Sequence, residues 1–127
     1  MEQKRLVTSV LVLMFSCMNL CNIYADEADI NIQYVGHHGT HSEYYPPADM
    51  PEVYYDSDNQ EIIIVADGFS SYYDVDIVSQ STQLTVISTQ VDGYGDSIDI
   101  SSLPDDNYTI VITSEYNNVF EGQFTNY

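Results

Sequence analysis

"SLPDDNYTIVITSEYNNVFEGQF", residues 102–124, reads as a turn, a strand, a second turn and a second strand. Tyr108, Ile110 and Ile112 alternate with Thr109, Val111 and Thr113, the two-residue period of a strand that buries one face. Asn117-Asn118 follows, and asparagine tolerates the positive φ angles of tight hairpins. The next segment carries Phe120 and Phe124 on one face. Tyr108, placed just after Leu103-Pro104, is expected to return its hydroxyl to upstream backbone, as the corner tyrosine of a β-sandwich does.

The same period continues toward the N-terminus. Ile98 and Ile100 stand between Ser97, Asp99 and Ser101, after the turn Asp92-Gly93-Tyr94-Gly95-Asp96. Leu84 to Val91 forms a strand, and Tyr73, Val75 and Ile77 alternate with Asp74 and Asp76. Ile62-Ile63-Ile64-Val65, within Glu61 to Ala66, is apolar on both faces and predicts a central strand covered on each side. Asp56-Ser57-Asp58-Asn59 turns the chain out of a short strand over Glu52 to Tyr55. Ile30, Ile32 and Tyr34 alternate with Asn31 and Gln33 and predict one half-buried first strand. No window has helical periodicity. Short strands at this spacing indicate an immunoglobulin-like antiparallel β-sandwich of about seven strands; a small β-barrel is the alternative.

The chain opens with Lys4-Arg5, an apolar stretch from Leu6 to Phe15 and a polar shift near Tyr24-Ala25-Asp26, the layout of a secretory signal peptide over residues 1–25. Met14-Phe15-Ser16-Cys17 competes as a lipoprotein processing box, which would anchor the product through an acylated Cys17. Either route places the protein outside the cytoplasm. Residues 26–127 are the size of one sandwich domain, with an irregular connector at 36–51 rich in Gly and Pro. If Cys17 and Cys21 leave with the signal, neither disulfides nor thiol chemistry contribute.

Lys4 and Arg5 are the only two basic residues, and of the twenty acidic residues only Glu2 precedes Asp26. The domain is thus acidic throughout and has no lysine or arginine. Nucleic acids and anionic membrane surfaces attract proteins through clustered Lys and Arg, so neither is expected as a partner.

Three stretches carry a resemblance. Ile30-Asn31-Ile32-Gln33, the Pro-containing connector, and Leu103-Pro104-x-x-x-Tyr108-Thr109-Ile110 with Glu121-Gly122-Gln123-Phe124 together resemble a family of small secreted domains from gut-dwelling anaerobic bacteria, known as an immunoglobulin-like domain of unknown function. The resemblance spans residues 29–126 and implies a sandwich without known catalytic residues. Asp106 stands where relatives commonly have a turn glycine, which predicts a left-handed backbone there. His41-Ser42 replaces a basic residue before serine. The Leu-Pro-x-x-x-Tyr stretch is also similar to secretion sorting domains, but those end in basic residues and this chain ends Phe124-Thr125-Asn126-Tyr127.

His37, His38 and His41, with Glu43 or Asp49, offer enough ligands for zinc, yet only a folded loop would gather them, so they read as a connector and no metal or cofactor is expected. Asp56-x-Asp58 starts like a calcium loop, but its sixth position is Glu61 rather than glycine. Asp92 and Asp96, around Gly93 and Gly95, could bind calcium only loosely and read as a turn. There is no Gly-x-Ser-x-Gly elbow, and carboxylate pairs in so acidic a chain arise by chance, so no enzyme is expected. Twelve tyrosines and no tryptophan leave the doublets Tyr44-Tyr45, Tyr54-Tyr55 and Tyr72-Tyr73 as candidate contacts, with one ring of each doublet buried and one exposed if on a strand. Tyr44, Tyr45, Tyr54 and Tyr72 are the binding candidates. The expected role is an extracytoplasmic interaction or adhesion module that meets an unknown protein or glycan through loops and strand edges; a carbohydrate- or cation-binding periplasmic protein is the alternative.

Because carboxylates without basic partners repel one another, added salt should stabilise the fold. The thermal midpoint is expected to rise between low and about 0.5 M sodium chloride, where screening lengths fall below ~5 Å; a falling midpoint would contradict it.

Overall fold

The computed structural model describes residues 27–37 and 47–127. Among these, nine strands form two antiparallel sheets. They are β1 Glu27–Ile30, β2 Gln33–His37, β3 Glu52–Asp56, β4 Glu61–Val65, β5 Tyr72–Ser79, β6 Thr85–Asp92, β7 Gly95–Asp99, β8 Asp106–Ser114 and β9 Asn118–Asn126. One sheet has the order β1-β3-β4-β7 and the other β2-β9-β8-β5-β6. The sheets remain separate at their edges, so the fold is the sandwich and not the barrel.

Alternation built the core as expected. Tyr73, Val75 and Ile77 of β5, Tyr108, Ile110 and Ile112 of β8, and Phe120 and Phe124 of β9 face Val53, Ile62, Ile64 and Ile98 of the opposite sheet. Register aligns them in rows: Phe120, Ile112 and Val75 lie side by side, as do Gly122, Ile110, Ile77 and Ile87. Stacked rings continue the packing, Tyr108 against Phe124 at 5.4 Å and Tyr55 against Phe124 at 5.6 Å between centroids. The Tyr108 hydroxyl donates to the Pro104 carbonyl, so the corner tyrosine is where the sequence placed it.

The row through Gly122 has a gap where its neighbours have side chains, and the N-terminal segment fills it. A Cβ on Gly122 would stand 2.5 Å from Ile32 Cδ1, 2.8 Å from Ile30 Cγ2 and 3.1 Å from the Asn31 carbonyl oxygen. This explains why the first strand departs from expectation. Ile30 to Tyr34 is not one strand: β1 pairs with β3 in one sheet and β2 with β9 in the other, and the chain changes sheets at Asn31-Ile32. Ile30 and Ile32 are both buried because the crossing chain points both into the space between the sheets. The period of two therefore survives although the strand does not. β2 also runs past Gly36 to His37, with a register shift between Tyr34 and Gly36.

Two other expectations change. β4 is central in its sheet but covered on one face only: Ile62 and Ile64 are buried, whereas Val65 is 45% exposed, because no third layer packs on the outside. Asp106 is not left-handed. It is the first residue of β8, and its carboxylate accepts from the Ser79 hydroxyl at 2.6 Å, from the Ser81 hydroxyl and from the Asn107 amide. These bonds hold it below the usual carboxylate range, the Ser79 and Ser81 hydroxyls contributing most. The positive φ in the final hairpin belongs to Asn117, at 64°.

Replacing Gly122 by valine should destabilise the domain by about 1–3 kcal/mol, the usual cost of overpacking, and release the crossing segment. Urea unfolding with hydrogen exchange on β1 and β2 measures both; an unchanged midpoint would show that the segment is not seated there. Tyr108→Phe should cost about 1 kcal/mol for its lost hydrogen bond.

Candidate functional site

Four chain segments meet at one end of the sandwich. The first is the β4–β5 loop, residues 66–71, whose hub is Ser70, fully buried. Its hydroxyl donates to the Tyr72 carbonyl at 2.5 Å and accepts from the Glu115 amide at 3.1 Å, which ties this loop to the β8–β9 turn. The second is the β6–β7 turn at Gly93-Tyr94. Gly68 donates to the Gly93 carbonyl at 3.0 Å, Gly93 to the Ser71 carbonyl at 3.0 Å, and Ala66 to the Tyr94 carbonyl at 3.2 Å. Gly93 must lack a side chain, since a Cβ there would overlap the Ser70 carbonyl oxygen.

The third segment is the β8–β9 turn itself, closed by Asn117 N–H donating to the Ser114 carbonyl. The fourth is the end of the connector. Asp49 is buried, its backbone carbonyl accepts from the Tyr73 hydroxyl at 2.7 Å, and both carboxylate oxygens accept from the Asn118 side-chain amide at 3.2 Å. Asn118 in turn accepts from the Tyr34 hydroxyl at 3.3 Å and lies opposite His37 in the β2–β9 ladder. Both ends of the connector are therefore fastened to this pole.

What these loops display is aromatic. Tyr94 is 73% exposed, Phe69 59% and Tyr116 51%, one ring from each of the three loops. Tyr94 lies against Gly68, whose φ of +84° and missing Cβ admit the ring edge. Carboxylates stand among the rings. Asp67 accepts from the Phe69 amide and Asp92 from the Tyr94 amide, each setting the conformation of its own loop. Glu115 is held below its usual range, chiefly by the Tyr116 hydroxyl, and that same bond pushes Tyr116 up. Such a surface can stack rings on an apolar or sugar face while the acids accept hydrogen bonds.

The tyrosine candidates fall in different places. Tyr72 begins β5 at this pole and points out of the five-stranded sheet, while Tyr73 beside it is fully buried. Tyr54 lies on the outer face of the other sheet, where its hydroxyl donates to Glu52 at 2.7 Å, and Tyr55 is half-buried against Phe124 rather than fully interior. Tyr54 and Tyr72 thus face opposite ways and do not form one surface. Tyr44 and Tyr45 lie outside the described residues, as do His38, His41 and Glu43 of the histidine cluster. Asp49, the alternative fourth ligand to the histidines, instead holds Asn118. Among the described residues no group of three or more His, Cys, Asp or Glu side chains is placed to hold a metal ion. Asp56 caps its turn, accepting from the amides of Asp58 and Asn59 and the Asn59 side chain. Phe69, Tyr94 and Tyr116 escaped the sequence reading because they are single aromatics, not doublets. Their signal was an aromatic residue set within a glycine- or asparagine-bearing turn, where no strand face exists to bury it.

No family model matches the chain, and no curated protein matches it. Among solved structures it is similar to the crystal structure of a DUF3244 family protein from Bacteroides vulgatus with an immunoglobulin-like β-sandwich fold. The TM-score is 0.61 at 13% identity, over 80% of this chain and 99% of that one. The likeness shows the fold: an immunoglobulin-like β-sandwich. It agrees with the resemblance carried by the strand, connector and Leu-Pro-x-x-x-Tyr motifs at the level of architecture.

Burial, then the carboxylates of Asp49 and Asp67, push the Tyr73 phenol up to about 12 from its ordinary 10. The fold keeps this phenol neutral, so its contribution is full below pH 10 and is lost as pH rises from about 10 to about 12. Tyr73→Phe should lose about 1 kcal/mol at pH 7, from its bond to Asp49, but its stability should fall less steeply above pH 10. Chemical denaturation across pH 8–12 tests this, and equal slopes would exclude Tyr73 as the alkaline trigger.

Proposed function

We propose that this protein is a non-enzymatic, extracytoplasmic interaction module that engages a protein or glycan through the aromatic pole of its sandwich. The observation that carries the proposal is the display of Phe69, Tyr94 and Tyr116 on three loops fastened together by buried Ser70 and by the backbone bonds of Ala66, Gly68 and Gly93. Exposed aromatic rings have an unfavourable contact with water, and loops locked by backbone hydrogen bonds lose little entropy when a partner covers them. The rings add large contact area and the neighbouring acids supply directional acceptors. The described ends of the connector, His37 and Asp49, both lie at this pole. The layout of Lys4-Arg5 and Leu6 to Phe15 supports export.

The carbohydrate reading draws on the same surface, since tyrosine and phenylalanine rings stack on sugar faces beside carboxylate acceptors. Arrayed glycans and a set of purified cell-surface proteins distinguish the two kinds of partner. The expected result is saturable binding to one class that falls at least tenfold in a Phe69→Ala, Tyr94→Ala, Tyr116→Ala variant with an unchanged melting temperature. Binding that survives the triple substitution would remove the pole from the function. A Tyr54→Ala variant, altered on the other sheet's outer face, should bind as the unaltered protein does.

A further inference from the structure

A sandwich built from two open sheets has four edge strands, and here three of them are blunted against pairing. β1 is four residues long and carries Asp29. β2 is interrupted by a register shift before Gly36, whose φ is +117°. β7 carries Asp96 and Asp99. Short length, irregularity and charge are the features that keep a strand edge from acquiring a neighbour.

β6 is different. After one irregularity beside Val86 it runs in unbroken register with β5 from Ile87 to Asp92, with no charge before Asp92 and no glycine or proline. Among the described residues its other edge is unpaired. Every second amide and carbonyl of such a strand points away from its neighbour, ready to accept another strand. Six regular residues match the usual length of a strand. Leu84 and Val86 stand exposed beside its start, at 65% and 39%.

The outer face next to this edge selects the chemistry of what is added. Ser88 and Gln90 point outward in register with Asp76 and Asp74, to which they donate at 2.6 and 3.1 Å, and Asp92 is in register with Tyr72. A strand added to β6 would place alternate side chains roughly 10 Å from Asp74 and Asp76, two strand spacings away. Lysine or arginine at those positions reaches across Ser88 and Gln90 to the carboxylates. A second copy paired through its own β6 brings Asp74 and Asp76 behind that strand, and residues 26–127 contain no lysine or arginine to offset them. We infer that β6 is a strand-addition site that captures an extended segment of another protein bearing lysine or arginine at alternate positions. This surface runs along β6 away from the aromatic pole, which it meets at Asp92, and adds a partner class of its own.

The test uses the purified protein and the peptide acetyl-Lys-Val-Lys-Val-Lys-Val-Lys-amide at 0.15 M salt. Two comparison peptides accompany it, one with glutamate for lysine and one with alternate backbone nitrogens methylated. The lysine peptide is expected to bind at least tenfold more tightly than either, to protect amides of residues 87–92 from hydrogen exchange, and to lose at least tenfold in affinity to a Ser88→Lys, Gln90→Lys variant. Both positions are exposed and each new lysine faces an aspartate across the strand pair, so the variant should melt no lower than the unaltered protein does. The Phe69→Ala, Tyr94→Ala, Tyr116→Ala variant should bind the peptide normally, which separates this site from the pole. Equal binding of the methylated peptide would overturn strand addition in favour of bulk charge attraction. Protection outside β6, or a concentration-dependent dimer that the lysine variant dissolves, would overturn the assignment of edge or occupant.

Discussion

The missing side chain at Gly122 is the constraint on which the architecture turns. Every neighbour in its row presents an isoleucine to the core, and one strand position without a Cβ leaves a slot that the N-terminal segment occupies. Ile30 and Ile32 enter that slot, and the chain is thereby able to contribute β1 to one sheet and β2 to the other. A segment shared by both sheets holds them together through its covalent backbone as well as through burial. It also brings His37 opposite Asn118, and so delivers the start of the connector to the pole where Asp49 anchors its end.

That pole shows how loops are held together without a cysteine among the described residues. Ser70 is polar and wholly buried, a costly placement unless both its donor and acceptor capacities are met. The Tyr72 carbonyl and the Glu115 amide meet them, and in doing so they link loops distant in sequence. Gly93 lets the third loop approach to backbone contact. Buried polar side chains elsewhere follow the same rule: among the described residues none lacks a hydrogen-bond partner. Rigidity at the pole therefore comes from satisfied polar groups, and the aromatic rings are what remains to face the solvent.

Charge divides the surface in another way. With no lysine or arginine in the domain, its carboxylates are used as caps: Asp56, Asp67, Asp92, Asp99 and Asp106 each accept from nearby backbone amides. The bonds to Asn59, Ser101 and to Ser79 and Ser81 hold Asp56, Asp99 and Asp106 below the usual range. These three contribute stability above about pH 4 that is lost as the pH falls through their lowered values, in opposition to the relief of general repulsion on acidification. The same acidity guards two sheet edges, β1 and β7, while irregularity guards β2; β6, whose regular stretch has no charge before Asp92, is the exception.

The alternation of apolar and polar residues determined the strands from Glu52 onward and the buried side of most of them, because a pleated strand sends successive side chains to opposite faces whatever surrounds it. Turn chemistry was equally local: Asp56 to Asn59, Gly93 to Gly95 and Asn117 reverse the chain through their own backbone preferences. Tyr108 was legible because its partner, the Pro104 carbonyl, is four residues away. What the sequence could not determine was whatever depends on a third body. The outer face of β4 has the same composition whether or not a layer covers it. Ile30 and Ile32 keep their period across a change of sheet, and Phe69, Tyr94 and Tyr116 lie in separate turns that only tertiary hydrogen bonds bring to one pole. Periodicity records which side of a strand is apolar, while the neighbours that cover it, and the loops that meet, are decided by packing between residues far apart in the chain.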